Sequence, residues 1–219
     1  MQQPKIMPRG SKYGSNYWIS EGPKVGMRQV TFYSDLEFDH WVYVETEPEV
    51  EKYCEQYPEI SYVLNGELHS SVFDMWIQFR DGSIKCCEIK YESELTIENP
   101  QYERTLRQTE AQRAYCEQNG IHYEIVTDKH LRQNPYELEN RLNIISFVKN
   151  NPEPSATAQL RKYIRNERKS MQVITDLTSI PYPLVHNACL WLYYHGVIQL
   201  NLDESIVCRK TEVWLREPC

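Results

Sequence analysis

Asp74 stands inside an apolar run, Val72-Phe73-Asp74-Met75-Trp76-Ile77, and Glu88-Ile89-Lys90 ends a second one. Side chains two apart on a strand share a face, so Glu88 and Lys90 lie side by side while Ile89 points into a core. Carboxylates brought together in apolar surroundings repel unless a cation or an ammonium neutralises them. Such a set suits one or two hard divalent ions, Mg²⁺ or Mn²⁺, which can polarise a phosphodiester and generate hydroxide, with a lysine stabilising transition-state charge. The competing reading is an ordinary ion pair of Glu88 and Lys90 on an exposed strand face.

Elements on both sides must position these groups. Arg80-Asp81-Gly82-Ser83 supplies a turn, so the two runs read as a hairpin. Upstream, residues 30–33 read as a strand, and Ser34 opens a helix with Glu37 three residues on, a capping-box pattern. Glu37 is therefore either a cap or a helix-borne catalytic acid. In that helix Leu36, Trp41 and Val44 are expected to face a core, and Asp39 and His40 to face solvent. After Glu47-Pro48 and a segment ending at Pro58 come a strand at 60–64, an Asn65-Gly66 turn and the Asp74 strand. Downstream, residues 103–118 read as a helix capped by Asn119-Gly120, with Leu106, Ala114 and Tyr115 on its buried side. Gln108 and Gln112 share one of its faces and could meet DNA backbone phosphates or a metal-bound water, or be solvated. A strand at 121–128 completes strand-helix-strand, which predicts an α/β sheet covered by a crossover helix.

A helix over 135–149, built on Leu138, Leu142, Ile145 and Val148, leads to the linker Asn150-Asn151-Pro152-Glu153-Pro154. Beyond it the pattern predicts helices from Ser155 to about Arg168, from Ser170, and from Tyr182 to Tyr194, then a hairpin of 197–202 with 206–208. That is a winged-helix-like layout. Its basic residues Arg161, Lys162 and Arg165 sit on the first helix rather than the apolar third, which favours protein docking or general phosphate contact over base reading. The divisions expected are a basic arm at 1–29, with Lys24 and Arg28 as DNA contacts, a catalytic domain at 30–150 and a C-terminal domain at 155–219.

The net charge of -7 is unevenly spread: residues 1–29 hold five Lys/Arg against one acid, 30–153 hold 11 against 24, and 154–219 hold eight against six. An acidic middle flanked by basic ends fits a site that needs cations close to phosphates. Seven cysteines without a C-x-x-C pair, and no apolar run long enough for a membrane, predict reduced thiols in a cytoplasmic protein, as in a prokaryotic cytosol.

An acid on one strand, Glu-x-Lys on the next and a Glu on a preceding helix resemble the PD-(D/E)xK nuclease core. The context is narrower. Glu47-Pro48-Glu49-Val50, then Glu55-Gln56 and Pro58, and the strand Gly120-Ile121-His122-Tyr123-Glu124-Ile125-Val126-Thr127-Asp128 resemble the TnsA endonuclease of heteromeric DNA transposases. The resemblance implies a restriction-endonuclease-like mixed sheet flanked by helices, in which Glu37, Asp74 and Glu88 hold Mg²⁺ or Mn²⁺ and Lys90 assists. It implies cleavage of one strand at transposon ends, a TnsB-like DDE transposase as partner, and a TnsC-like AAA+ ATPase contacted by the C-terminal domain. Phe73 in place of a proline before the acid, and the inserted Tyr57, depart from the pattern. Another PD-(D/E)xK nuclease, restriction or junction-resolving, and an inactive winged-helix binding subunit are the alternatives.

Overall fold

The computed structural model describes residues 2–7 and 16–217, so residues 9–14 of the expected arm, and Cys219, lie outside the described residues. Contacts divide the chain into two units, residues 1–44 with 50–133, and residues 45–49 with 134–219.

The first unit opens with an antiparallel hairpin of β1 (Trp18–Gly22) and β2 (Arg28–Phe32), in register from Trp18 against Phe32 to Gly22 against Arg28. Residues 16–29 are thus not an arm: Val25 and Gly22 are buried, and a 3-10 turn at Pro23–Val25 closes the hairpin. Helix α1 (Asp35–Thr46) follows. A mixed four-stranded sheet is built from β3 (Val50–Glu55), β6 (Met75–Phe79), β7 (Ile84–Lys90) and β8 (His122–Thr127), in that order. Its first two pairings are antiparallel, and β7–β8 is parallel. Parallel neighbours need a crossover, and α2 (Tyr102–Asn119) provides it, ended by Gly120 at φ 65°. Between β3 and β6 a separate hairpin, β4 (Glu59–Leu64) with β5 (Glu67–Val72), turns at Asn65-Gly66. The one-turn helix α3 (Asp128–Leu131) completes this unit.

Two expectations change here. The run through Asp74 is not one strand: Phe73 and Asp74 form the joint between β5 and β6. Phe73, fully buried against Tyr115 and Tyr123, fills the position before the acid with core volume. Residues 50–55 form β3, whose burial at Tyr53, Cys54 and Glu55 departs from a strict alternation and hides the strand from a period-two reading.

The second unit contains α4 (Pro135–Asn150), α5 (Thr157–Leu160), α6 (Met171–Thr178), α7 (Tyr182–Tyr194) and a small sheet of β9 (Lys169–Ser170), β10 (Ile198–Leu200) and β11 (Glu212–Leu215) in the order β10-β11-β9. Its core gathers around α7, where Val185, Ala188, Cys189 and Leu192 meet Ile144 of α4 and Ile174 of α6. The helix expected from Ser155 to Arg168 is just the single turn α5; Ile164 is buried, but the chain around it turns repeatedly. The partner of β10 is 212–215, because residues 206–208 are spent in a looped return capped by Asn140. Ser170 caps α6 as the sequence indicates.

Candidate active site

Three elements of the first unit bring acids together. Ser34 and Glu37 form the capping box: the Glu37 backbone N–H donates to Ser34 Oγ at 3.1 Å, and the Glu37 carboxylate accepts from the Tyr33 N–H at 3.0 Å and from Ser34 Oγ at 3.2 Å. The same carboxylate, 3 % exposed, also accepts from Gln56 Nε2 at 3.2 Å. Gln56 Nε2 stands 3.3 Å from Asp74 Oδ1, and the other Asp74 oxygen takes the Ile89 N–H of β7 at 2.8 Å. The cap therefore leaves the Glu37 carboxylate beside Gln56, which also faces Asp74.

Glu88 projects from β7 toward α2 and is 1 % exposed. Lys90 Nζ lies 2.7 Å from its Oε1, Gln108 Nε2 donates to that same oxygen at 2.8 Å, and Gln112 Nε2 donates to Oε2 at 2.8 Å. Tyr123 Oη donates to Gln112 Oε1 at 2.8 Å, which fixes the direction of that amide. Burial first, and Asp74 second, push the Glu88 carboxyl up to about 7 against the pull of Lys90. Burial works against the Lys90 charge as well, but Glu88 and Asp74 overcome it and raise its pKa. Two buried carboxylates beside one ammonium leave this place short of positive charge. That is the donor chemistry a hard cation completes, so the residues fit one. Gln56 bridges the carboxylates of Glu37 and Asp74, and Asp74 holds the N–H of Ile89, the residue after Glu88; among the described residues no group of three or more His, Cys, Asp or Glu gathers to hold a metal ion.

The other sequence candidates divide. Gln112 is fully buried, so it is not a solvated side chain, and Gln108 is half-buried; both donate to Glu88. The buried stripe of α2 is Thr105, Thr109, Gln112 and Cys116 rather than Leu106, Ala114 and Tyr115, and Ala114 is exposed. A hydrophobic count could not find it, because the stripe is polar where it meets Glu88. Arg28 is engaged by Glu55 at 2.7 and 2.6 Å, and Lys24 Nζ donates to the Val50 carbonyl at 2.9 Å, so both part-buried side chains have partners within the protein. Asp39 and His40 are buried, not solvent-facing; Asp39 pairs with Arg132 at 2.6 Å. Arg161, Lys162 and Arg165 are exposed in the second unit. Sequence reasoning missed Gln56, although it quoted the Glu55-Gln56 pair.

Residues 47–128 match the family model described as TnsA-like endonuclease N terminal. This stretch is similar to a TnsA-like endonuclease domain. It includes Gln56, Asp74, Glu88, Lys90, Gln108 and Gln112, and Glu37 lies ten residues before it. No curated protein matches the chain. Among the described residues, no helix is long and apolar enough to cross a membrane.

Proposed function

We propose that the protein is a metal-dependent DNA endonuclease that cuts one strand at transposon ends, working beside a TnsB-like DDE transposase. The observation that carries this is the burial of Glu37, Asp74 and Glu88, with Lys90 beside Glu88, mostly inside the TnsA-like stretch. Glu37, Asp74 and Glu88 would hold Mg²⁺ or Mn²⁺, which when bound supplies a Lewis acid and an activated water. Asp74, fixed by the Ile89 N–H, needs no rearrangement of its backbone to present a carboxylate oxygen. Glu88 is steadied by Gln108 and Gln112, so its carboxylate is oriented before substrate arrives. Lys90 keeps its proton and places an ammonium where negative charge grows on the phosphoryl oxygens. In the second unit, the order β9-α6-α7-β10-β11 supports a winged-helix-like module, and its exposed Arg161, Lys162 and Arg165 suit phosphate or an acidic face of a TnsC-like ATPase.

The test is nicking of transposon-end DNA with the partner transposase and saturating Mg²⁺. Asp74→Ala and Glu88→Ala should abolish the cut, and Lys90→Ala should slow it by about 10²-fold with little change in DNA affinity. Wild-type cutting by either acid variant overturns the site. Cutting without the transposase would instead favour a stand-alone PD-(D/E)xK nuclease.

A further inference from the structure

Gln56 is held in an uncommon way for a residue at the end of a strand. Its φ of 48° lies in the left-handed region that side chains other than glycine rarely adopt, and such backbone persists where surroundings over-determine it. Those surroundings are specific: the Gln56 N–H donates to the Asp74 carbonyl at 2.9 Å, and its own carbonyl accepts from the Lys5 N–H at 3.0 Å. The result is a side chain 3 % exposed whose amide nitrogen stands 3.2 Å from Glu37 Oε2 and 3.3 Å from Asp74 Oδ1.

An amide is the one neutral side-chain group that can face two carboxylates either way round. With nitrogen inward, its two N–H bonds serve the two acids; with oxygen inward, three oxygens would face one another and repel. A cation among them reverses that preference. Adjacent ligand atoms of an octahedral ion at ~2.1 Å are separated by about 3.0 Å, and by slightly more around a larger ion. The separations of 3.2 and 3.3 Å from the Gln56 nitrogen to the two carboxylate oxygens are of that size.

We propose that Gln56 is an additional ligand of the catalytic cation and a placeholder for it: its amide faces Glu37 and Asp74 nitrogen-inward when no ion is bound and turns over to offer Oε1 when one binds. This rests on the metal reading of the site. It adds a neutral oxygen to the acids and explains why they can lie close together without an ion.

The experiment is Mn²⁺ calorimetry on the full chain, with melting in chelator and in Mn²⁺, for wild type, Gln56→Met and Gln56→Glu. Gln56→Met, of similar length without the amide, should melt earlier in chelator and bind Mn²⁺ at least tenfold more weakly. Gln56→Glu places a third carboxylate among the two, so it should also melt earlier in chelator but gain more from Mn²⁺ than wild type does. If the amide is merely a brace that competes with the ion, Gln56→Met will bind Mn²⁺ as tightly as wild type or more tightly, and the proposal falls. Should Gln56→Met not fold, Gln56→Glu decides: a gain from Mn²⁺ no larger than that of wild type overturns the ligand role. Absence of Mn²⁺ binding by wild type would instead overturn the metal reading itself.

Discussion

His40 lies one turn beyond Glu37 on α1, 6 % exposed, and its Nδ1 is a buried atom with no hydrogen-bond partner among the described residues. Burial lowers its pKa from 6.5 to about 4; the negative charges of Glu124 and Asp74 pull the other way without offsetting this, and the positive charges of Lys85 and His130 add to it. Above pH 6.5 the imidazole is neutral in the folded and the unfolded chain, and its contribution to stability is complete. As the pH falls from 6.5 toward 4 the unfolded chain takes up the proton first, so stability is lost across that window. At about 1.4 kcal/mol per pKa unit, the loss is on the order of 3 kcal/mol. His40→Leu removes the titration, and groups common to both proteins cancel in the difference. Wild type should therefore lose stability relative to His40→Leu between pH 7 and pH 4.5 in urea titrations; a constant difference across that range would show that His40 does not stay neutral. The residue types Asp, Glu-x-Lys and Ser-x-x-Glu were legible in the chain because each obeys a local spacing rule. The burial of His40 and the bridging by Gln56 were not, because both depend on which elements lie opposite them.

At the scale of elements, β2, β3 and α2 carry what the pattern hid. Helix α2 was legible in extent and cap, since Asn119-Gly120 is a local signal, but its inward stripe of Thr105, Thr109, Gln112 and Cys116 answers to a polar neighbour. The hairpin β1–β2 reads as an arm in the sequence because residues 1–29 are polar, punctuated by Gly and Pro, and lack periodicity, and its outer strand is mostly exposed, with Trp18 and Ile19 open. What ties β2 to β3 is the Arg28–Glu55 pair, in which Glu55 is 1 % exposed and the guanidinium is bidentate. Removing one partner of such a pair strands the other charge away from water. Arg28→Ala should therefore destabilise the protein by about 2–3 kcal/mol, somewhat below a fully buried pair because the arginine side chain is 25 % exposed. Thermal melting checks this. A variant that melts like wild type while DNA affinity drops would return Arg28 to the role of a phosphate contact.

For the whole molecule, the Pro-rich stretch at 150–154 is the strongest composition break in the chain, and past Asn150, the last residue of α4, it is non-helical and mostly exposed. Contacts nevertheless divide the chain between Gln133 and Asn134, with residues 45–49 joining the second unit. The physical reason is that α4 buries Ile144 in the core built around α7, with Phe147 and Val148 packed against it, so the linker connects two parts of one unit. Arg141 of α4, largely buried, strengthens the same connection with its guanidinium 5.9 Å from the ring centroid of Tyr193 on α7, and it also donates to Thr46 Oγ1 at 2.8 Å. Asn140 reaches further along the chain, donating to the carbonyls of Leu202 and Ser205 at 2.7 and 2.8 Å. Chain connectivity at the linker thus adds little to the cohesion of that unit, and a cut there leaves its core and hydrogen bonds in place. A protease site inserted between Asn151 and Pro154 should be cut quickly, yet the two fragments should co-elute as one species in size-exclusion chromatography and retain cooperative melting. Were residues 155–219 a separate domain, the fragments would part on the column, and α4 would have to be assigned to the catalytic unit instead.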